Sequence, residues 1–171
     1  MKPLSKSLIA VIVLAVLAVG GYLGWSALDQ KPEAPNASFS LLDGKTVDLS
    51  AYRGKVVLVN FWATSCTTCV GEMPELVKTY DQLNPKGFDL VAVAMSYDNP
   101  EFVRNFVQQR QLPFTVAFDA SGQAAKAFKD VRLTPTSFLI DKSGHIVKRY
   151  VGPPDFSELH ALIGKLLAQP A

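Results

Sequence analysis

Cys66 and Cys69 are the only two cysteines of the chain, three positions apart in the stretch FWATSCTTC. Thiolates are nucleophiles and soft metal ligands, and a pair at this spacing can form and open a disulfide. Several chemistries compete for it. A structural zinc site takes about four ligands. No third cysteine exists, and the two histidines, His145 and His160, are distant in sequence and outside metal-ligand spacing. A purely structural cross-link is weak, because closing so short a loop removes little entropy from the unfolded chain. A peroxide-reducing cysteine calls for Thr three residues earlier, where this chain has Ala63 before Cys66 and Cys66 before Cys69. Two thiolates could hold Cu(I), but no Met or His cluster adjoins them. Dithiol–disulfide exchange is the favoured reading. It requires no metal and no cofactor, since the two sulfurs themselves hold the electrons.

The flanking sequence says how such a pair would be positioned. Residues 56–62 (VVLVNFW) are almost continuously apolar and rich in β-branched types, which suits a central strand covered on both faces. After the cysteines, Val70, Met73, Leu76, Val77, Tyr80 and Leu83 recur at helical spacing. Pro74 lacks an N–H and crowds the carbonyl of Val70, so a kink is expected one turn in. Cys66 therefore falls near a helix N-terminus, where unpaired N–H groups and the helix dipole stabilise an anion and lower a thiol pKa. Cys69 lies one turn inside, on the same side. Cys66 is the expected exposed attacker and Cys69 the resolving thiol.

The remaining elements follow from pattern. Asp43-Gly44 between the short apolar runs 39–42 and 46–49 predicts a hairpin. Residues 88–95 form a second buried strand. Asn99 and Pro100 open a helix as N-cap and first residue, with Phe102, Val103, Phe106 and Val107 as its apolar stripe. Strands are predicted over 114–118, 136–141 and 145–151, the last two joined through Ser143-Gly144. Helices are predicted over 123–128 and from Phe156 to Leu167. The order implies an α/β fold with a mixed sheet and helices on both faces.

At 171 residues with a net charge of +2, one domain plus an appendage is expected, and no basic block suggests nucleic acid. Residues 8–28 carry no charge, and about 20 apolar residues suffice for a helix to cross a bilayer. Lys2 and Lys6 precede the run, which sets the N-terminus in the cytoplasm and the rest of the chain outside. A cleaved signal peptide fits less well, because Trp25 occupies a position where cleavage prefers a small residue. The expected organisation is a membrane anchor over 1–28, a Pro-containing linker over 29–36, and a folded domain over 37–171 in the periplasm or extracytoplasmic space.

The segments VVLVNFWATSCTTCVGEMPEL and LTPTSFLIDKSGHIV resemble the thioredoxin superfamily. Within it they are most similar to the membrane-tethered TlpA/ResA-like thiol–disulfide oxidoreductases, over roughly residue 37 to the C-terminus. The resemblance implies a thioredoxin-like fold: a central mixed sheet flanked by helices, with an extra N-terminal β-hairpin and a βα insertion. It implies reduction of disulfide-bonded protein substrates, such as those of cytochrome c maturation or copper-site assembly, and a transmembrane thiol–disulfide relay as electron donor. Disulfide oxidation or isomerisation is the alternative direction. By the same resemblance, Pro135 is cis and faces the cysteines, with the backbone of Thr134 pairing to a bound substrate chain. Glu72 tunes the cysteine pKa values and helps move protons, while Glu75 has no such counterpart and faces solvent.

Cytoplasmic thioredoxins carry Asp where this chain has Asn60. An amide cannot accept the proton, so Asn60 is read as a satisfied core amide and Glu72 as the better proton handler. Two further departures are Ser65, where the family usually has Trp, and the Thr67-Thr68 dipeptide between the cysteines. Phe61 and Trp62 are read as core packing beneath the site.

Overall fold

A computed structural model describes residues 15–17, 19–21 and 31–170. Two compact units are resolved, residues 1–31 and Pro32–Ala171. In the first, residues 15–17 and 19–21 are helical and exposed. Among the described residues no helix is long and apolar enough to cross a membrane. Most of the predicted span 8–28 lies outside them.

The second unit is built on a five-stranded sheet. Its strands are β3 (Val56–Trp62), β4 (Phe88–Ala94), β5 (Thr115–Phe118), β6 (Thr136–Ile140) and β7 (Ile146–Val151), in the order β5-β4-β3-β6-β7. β3 pairs parallel to β4 and antiparallel to β6, so the apolar run that precedes the cysteines is the middle strand. All seven of its residues are buried, as its β-branched, uncharged composition requires. A separate hairpin, β1 (Ser38–Ser40) and β2 (Thr46–Asp48), turns at Asp43-Gly44 and touches the β5 edge through Leu41 and Ala117. Gly44 sits at φ +86°, a conformation that favours glycine.

Alternation along β3 divides the core. Val57, Val59 and Phe61 face one layer with Phe39, Phe128 and Phe138. The Phe128 ring lies 5.4 Å from Phe61 and 5.0 Å from Phe138. Burial of each such side chain contributes about 2–3 kcal/mol. Val56, Leu58 and Trp62 face the other layer, against Cys69, Met73 and Leu76 of α1 (Thr67–Leu83), Val103 of α2 (Pro100–Arg110), and Leu159, Ile163 and Leu166 of α4 (Phe156–Leu167). A short α3 (Gln123–Ala127) completes the helices of this unit. Phe61 and Trp62 are both fully buried, as expected, but on opposite faces; Trp62 is the one on the cysteine side.

Some expectations change. Pro32 to Ala37, read as linker and domain start, is part of the folded unit. Ala34 N–H donates to Gly144 O at 2.9 Å, Ile146 N–H donates to Pro32 O at 2.8 Å, and Ala34 and Ala37 are core residues. Two prolines suggested a tether, yet an extended strand-like segment accommodates them. Phe102 belongs to the apolar stripe of α2 by spacing but is 60% exposed, because that helix turns Val103 to the sheet. α1 runs from Thr67 to Leu83 with Pro74 inside it.

Candidate active site

β3 ends at Trp62, and a short turn at Thr64 and Ser65 delivers Cys66 to the N-cap of α1. The turn is pinned by Asp98, a residue sequence reasoning passed over. Its carboxylate accepts from Thr64 N–H at 2.6 Å, from the Thr64 hydroxyl at 2.7 Å and from Asn99 N–H at 2.9 Å. Asn99 in turn caps α2 by accepting from Glu101 N–H at 2.9 Å. The signal for Asp98 was faint: it adjoins a recognisable cap, but its partner lies 34 residues earlier.

Cys66 and Cys69 form a disulfide, with Cα atoms 5.2 Å apart. Cys66 is partly exposed between exposed Ser65 and Thr67, whereas Cys69 is fully buried. Cys69 N–H donates to Cys66 Sγ at 3.2 Å. In the dithiol state that donor and the helix N-terminus stabilise a thiolate at Cys66. Opposite stands the loop before β6, where the Thr134–Pro135 bond is cis. The Thr134 carbonyl oxygen lies 3.6 Å from Cys66 Sγ. The loop is held on both sides of that contact. Thr136 Oγ1 donates to Leu133 O at 2.7 Å, Gly152 N–H donates to Pro135 O at 2.8 Å, and Thr134 Oγ1 bonds the Tyr97 hydroxyl at 3.0 Å. Tyr97, Leu133 and Val151 around it are exposed apolar side chains. Tyr97 was not singled out from sequence.

Glu72 lies one turn beyond Cys69 on α1 and is only 4% exposed. Its Oε1 accepts from Asn60 Nδ2 at 2.9 Å, and Asn60 Nδ2 also donates to Ser137 Oγ at 2.9 Å. Burial raises the Glu72 carboxyl to about 7, against the opposing effect of the Asn60 bond. The other Glu72 oxygen, Asn60 Oδ1, Trp62 Nε1 and the Tyr150 hydroxyl have no hydrogen-bond partner among the described residues. Asn60 is therefore bonded through its nitrogen only and is not the fully satisfied core amide expected. Ser137 was missed, since nothing in the sequence ties it to a strand position 77 residues away. Glu75 is exposed and pairs with Lys78.

Among the described residues no group of three or more His, Cys, Asp or Glu side chains could hold a metal ion. His160 bonds Thr79 on α1 at 2.7 Å, and His145 sits at the turn into β7 with its N–H on Asp141. A solvent-reachable sulfur at a helix N-terminus, joined to a buried second sulfur and backed by a carboxyl titrating near neutrality, can exchange disulfides and move the accompanying proton.

A thioredoxin-like fold carrying a CxxC disulfide defines the class of thiol–disulfide oxidoreductases. The Redoxin family matches residues 29–163, and the chain belongs to it. It is 36% identical over 171 residues to the thiol-disulfide oxidoreductase ResA of Bacillus cereus, covering 95% of this chain and 97% of that one. Identity to ResA of Bacillus subtilis is 31% over 156 residues, 87% of this chain and 86% of the relative. The fold matches a crystal structure of a thiol:disulfide interchange protein of the thioredoxin family from Chlorobium tepidum. The TM-score there is 0.73 at 28% identity, over 81% of this chain and 98% of the other. The chain is thus a ResA-like thiol–disulfide oxidoreductase of the thioredoxin superfamily.

Proposed function

We propose that the protein reduces disulfides of protein substrates outside the cytoplasm. The observation that carries the reading is the asymmetry of the pair: Cys66 reachable at the helix N-terminus, Cys69 buried, and Glu72 enclosed one turn below. The Cys66 thiolate attacks a substrate disulfide, and one substrate thiolate leaves. Cys69 gives its proton to ionised Glu72 and attacks Cys66 Sγ. The Cys66–Cys69 bond forms, the second substrate thiolate leaves, and the substrate has gained two electrons. The carboxyl releases its proton to solvent. Thr134 and Pro135 hold the substrate chain, with the Thr134 carbonyl beside Cys66 and the apolar rim of Tyr97, Leu133 and Val151 around it. Ser65 leaves that rim without the large side chain usual before the first cysteine.

Residues 8–28 anchor the chain in the inner membrane, and tethering raises its effective concentration near membrane-bound partners. Substrates are those of cytochrome c maturation or copper-site assembly, and a transmembrane thiol–disulfide relay restores the dithiol. The test is covalent trapping in cells with full-length Cys69→Ser. The expected result is a set of mixed disulfides with other proteins, released by reductant and absent when Cys66 is also replaced. Absence of any adduct, with the variant folded and present, would remove the main support for exchange.

A further inference from the structure

The register between β3 and β6 ends at the pair Phe61 and Thr136. The two segments that face each other across the site, Thr64 to Cys66 and Leu133 to Pro135, both lie beyond that pair. Sheet pairing therefore does not set their separation by itself. The loop after β4 reaches both of them. Met95 N–H donates to Trp62 O at 2.9 Å, and Asp98 N–H donates to Met95 O at 3.0 Å, which turns the chain back. Two consecutive residues of this turn then serve opposite walls. Asp98 holds Thr64 on the cysteine side, and the Tyr97 hydroxyl bonds Thr134 Oγ1 at 3.0 Å on the other.

The strand order makes the second bond a long reach. β3 lies between β4 and β6, and neighbouring strands are about 4.8 Å apart, so a tie from the β4 side to the β6 side spans about 10 Å. Tyr97 makes it across the end of β3, where the turn to Cys66 begins. Its ring is 59% exposed, so core packing gives little reason for its place. The neighbours of Thr134 are tied elsewhere: Leu133 O accepts from Thr136 Oγ1, and Pro135 O accepts from Gly152 N–H. Those bonds fix the loop to β6 and β7, its own side. Apart from the Cys66 sulfur, the Tyr97 hydroxyl is the one group among the described residues that bonds Thr134 from the cysteine side.

We propose that Tyr97 is a positioning residue that braces Thr134 beside Cys66, and thereby sets the preference of the enzyme for cysteines within a polypeptide over small disulfides. The inference rests on the exchange reading above, in which Thr134 holds the substrate chain. With the brace in place, a chain whose sulfur meets Cys66 finds its backbone partner already set. Without it the loop holds that position only part of the time, and the apparent affinity for a chain falls by that fraction. The net worth of one hydrogen bond limits the loss to about tenfold. A small disulfide has no backbone to pair with Thr134 and does not draw on the brace.

The test compares two mixed disulfides of thionitrobenzoate, one with a short peptide through its single cysteine and one with 2-mercaptoethanol. Each is added to the reduced full chain. The Cys66 thiolate attacks the peptide or mercaptoethanol sulfur, and coloured thionitrobenzoate leaves. Cys69 then attacks Cys66 Sγ, closing the disulfide and releasing the second thiolate. Tyr97→Phe keeps the ring and removes the hydroxyl. Its second-order rate constant with the peptide compound should fall about three- to tenfold, while that with the mercaptoethanol compound changes by less than about twofold. An unchanged peptide rate, or an equal fall with both compounds, would overturn the brace. Thr134→Val removes the other hydroxyl and keeps the branched shape. It should reproduce the loss, and the double variant should lose no more than either single one. Losses that multiply would mean that the two hydroxyls act separately, and would also overturn it. Failure of the parent protein to react with either compound would instead remove the exchange reading, so the two failures are separable.

Discussion

Burial holds the Glu72 carboxyl at about 7 against an ordinary value of 4.5, and the sign of that shift has consequences for both stability and rate. Between these values the folded protein keeps a proton that the unfolded chain has lost. The associated stability is fully present below pH 4.5 and is lost as pH rises through about 7. The gap corresponds to about 3 kcal/mol. Glu72→Gln should therefore match the parent protein in urea unfolding near pH 4.5 and exceed it by up to about 3 kcal/mol at pH 8; equal stability at both would contradict the buried, ionising carboxyl. The same variant should lose the rise in exchange rate through pH 7 and run about a hundredfold slower at pH 8. A parent-like pH profile would remove Glu72 from proton transfer. At this scale the two cysteines were legible from their spacing behind a buried strand and ahead of a helix. Glu72, Thr134 and Pro135 came through a resemblance. Ser137 and Asp98 stayed hidden because their partners are 77 and 34 residues away, and periodicity carries no information about which distant polar groups meet.

The elements set the geometry that those residues use. β3 brings Cys66 to the site, and β6 brings Thr134 and Pro135 to face it, which is why antiparallel pairing of these two strands matters. The turn between β3 and α1 is fixed by the three bonds to the Asp98 carboxylate, which is only 8% exposed. Asp98→Ala leaves the Thr64 and Asn99 donors without that acceptor. It should lower stability by about 2–3 kcal/mol in urea unfolding and slow substrate reduction. A change below about 0.5 kcal/mol would mean the turn holds itself. Val56–Trp62 was readable to the residue, because a continuous β-branched run fits little else than a covered strand. The α2 stripe was readable only in part. Phe102, Val103, Phe106 and Val107 satisfy helical spacing together, but the helix turns Val103, Phe106 and Val107 toward the core and leaves Phe102 outside. The packing of Pro32 to Ala37 was invisible for a different reason: its partners, Gly144 and Ile146, lie more than a hundred residues on.

For the whole molecule, the central question is where the domain works and which way its electrons run. An uncharged run over 8–28 ahead of the folded unit motivates an anchored, outward-facing enzyme. In cell fractions the full chain should sediment with membranes and stay there through alkaline carbonate, with its folded domain open to protease from outside. Recovery in the soluble fraction would contradict the anchor. Direction of flow depends on how far Cys66 favours the thiolate over the disulfide. The Cys69 N–H and the helix N-terminus favour the thiolate, but the Thr67-Thr68 dipeptide and the absent Trp at Ser65 set no value by themselves. The reduction potential of the Cys66–Cys69 couple in the full chain, equilibrated with a thiol redox buffer, is therefore the deciding measurement. Thioredoxin lies at about −270 mV and the oxidant DsbA at about −120 mV. The reductase account expects a value close to the first; a value close to the second would reverse the electron flow and make the protein a donor of disulfides.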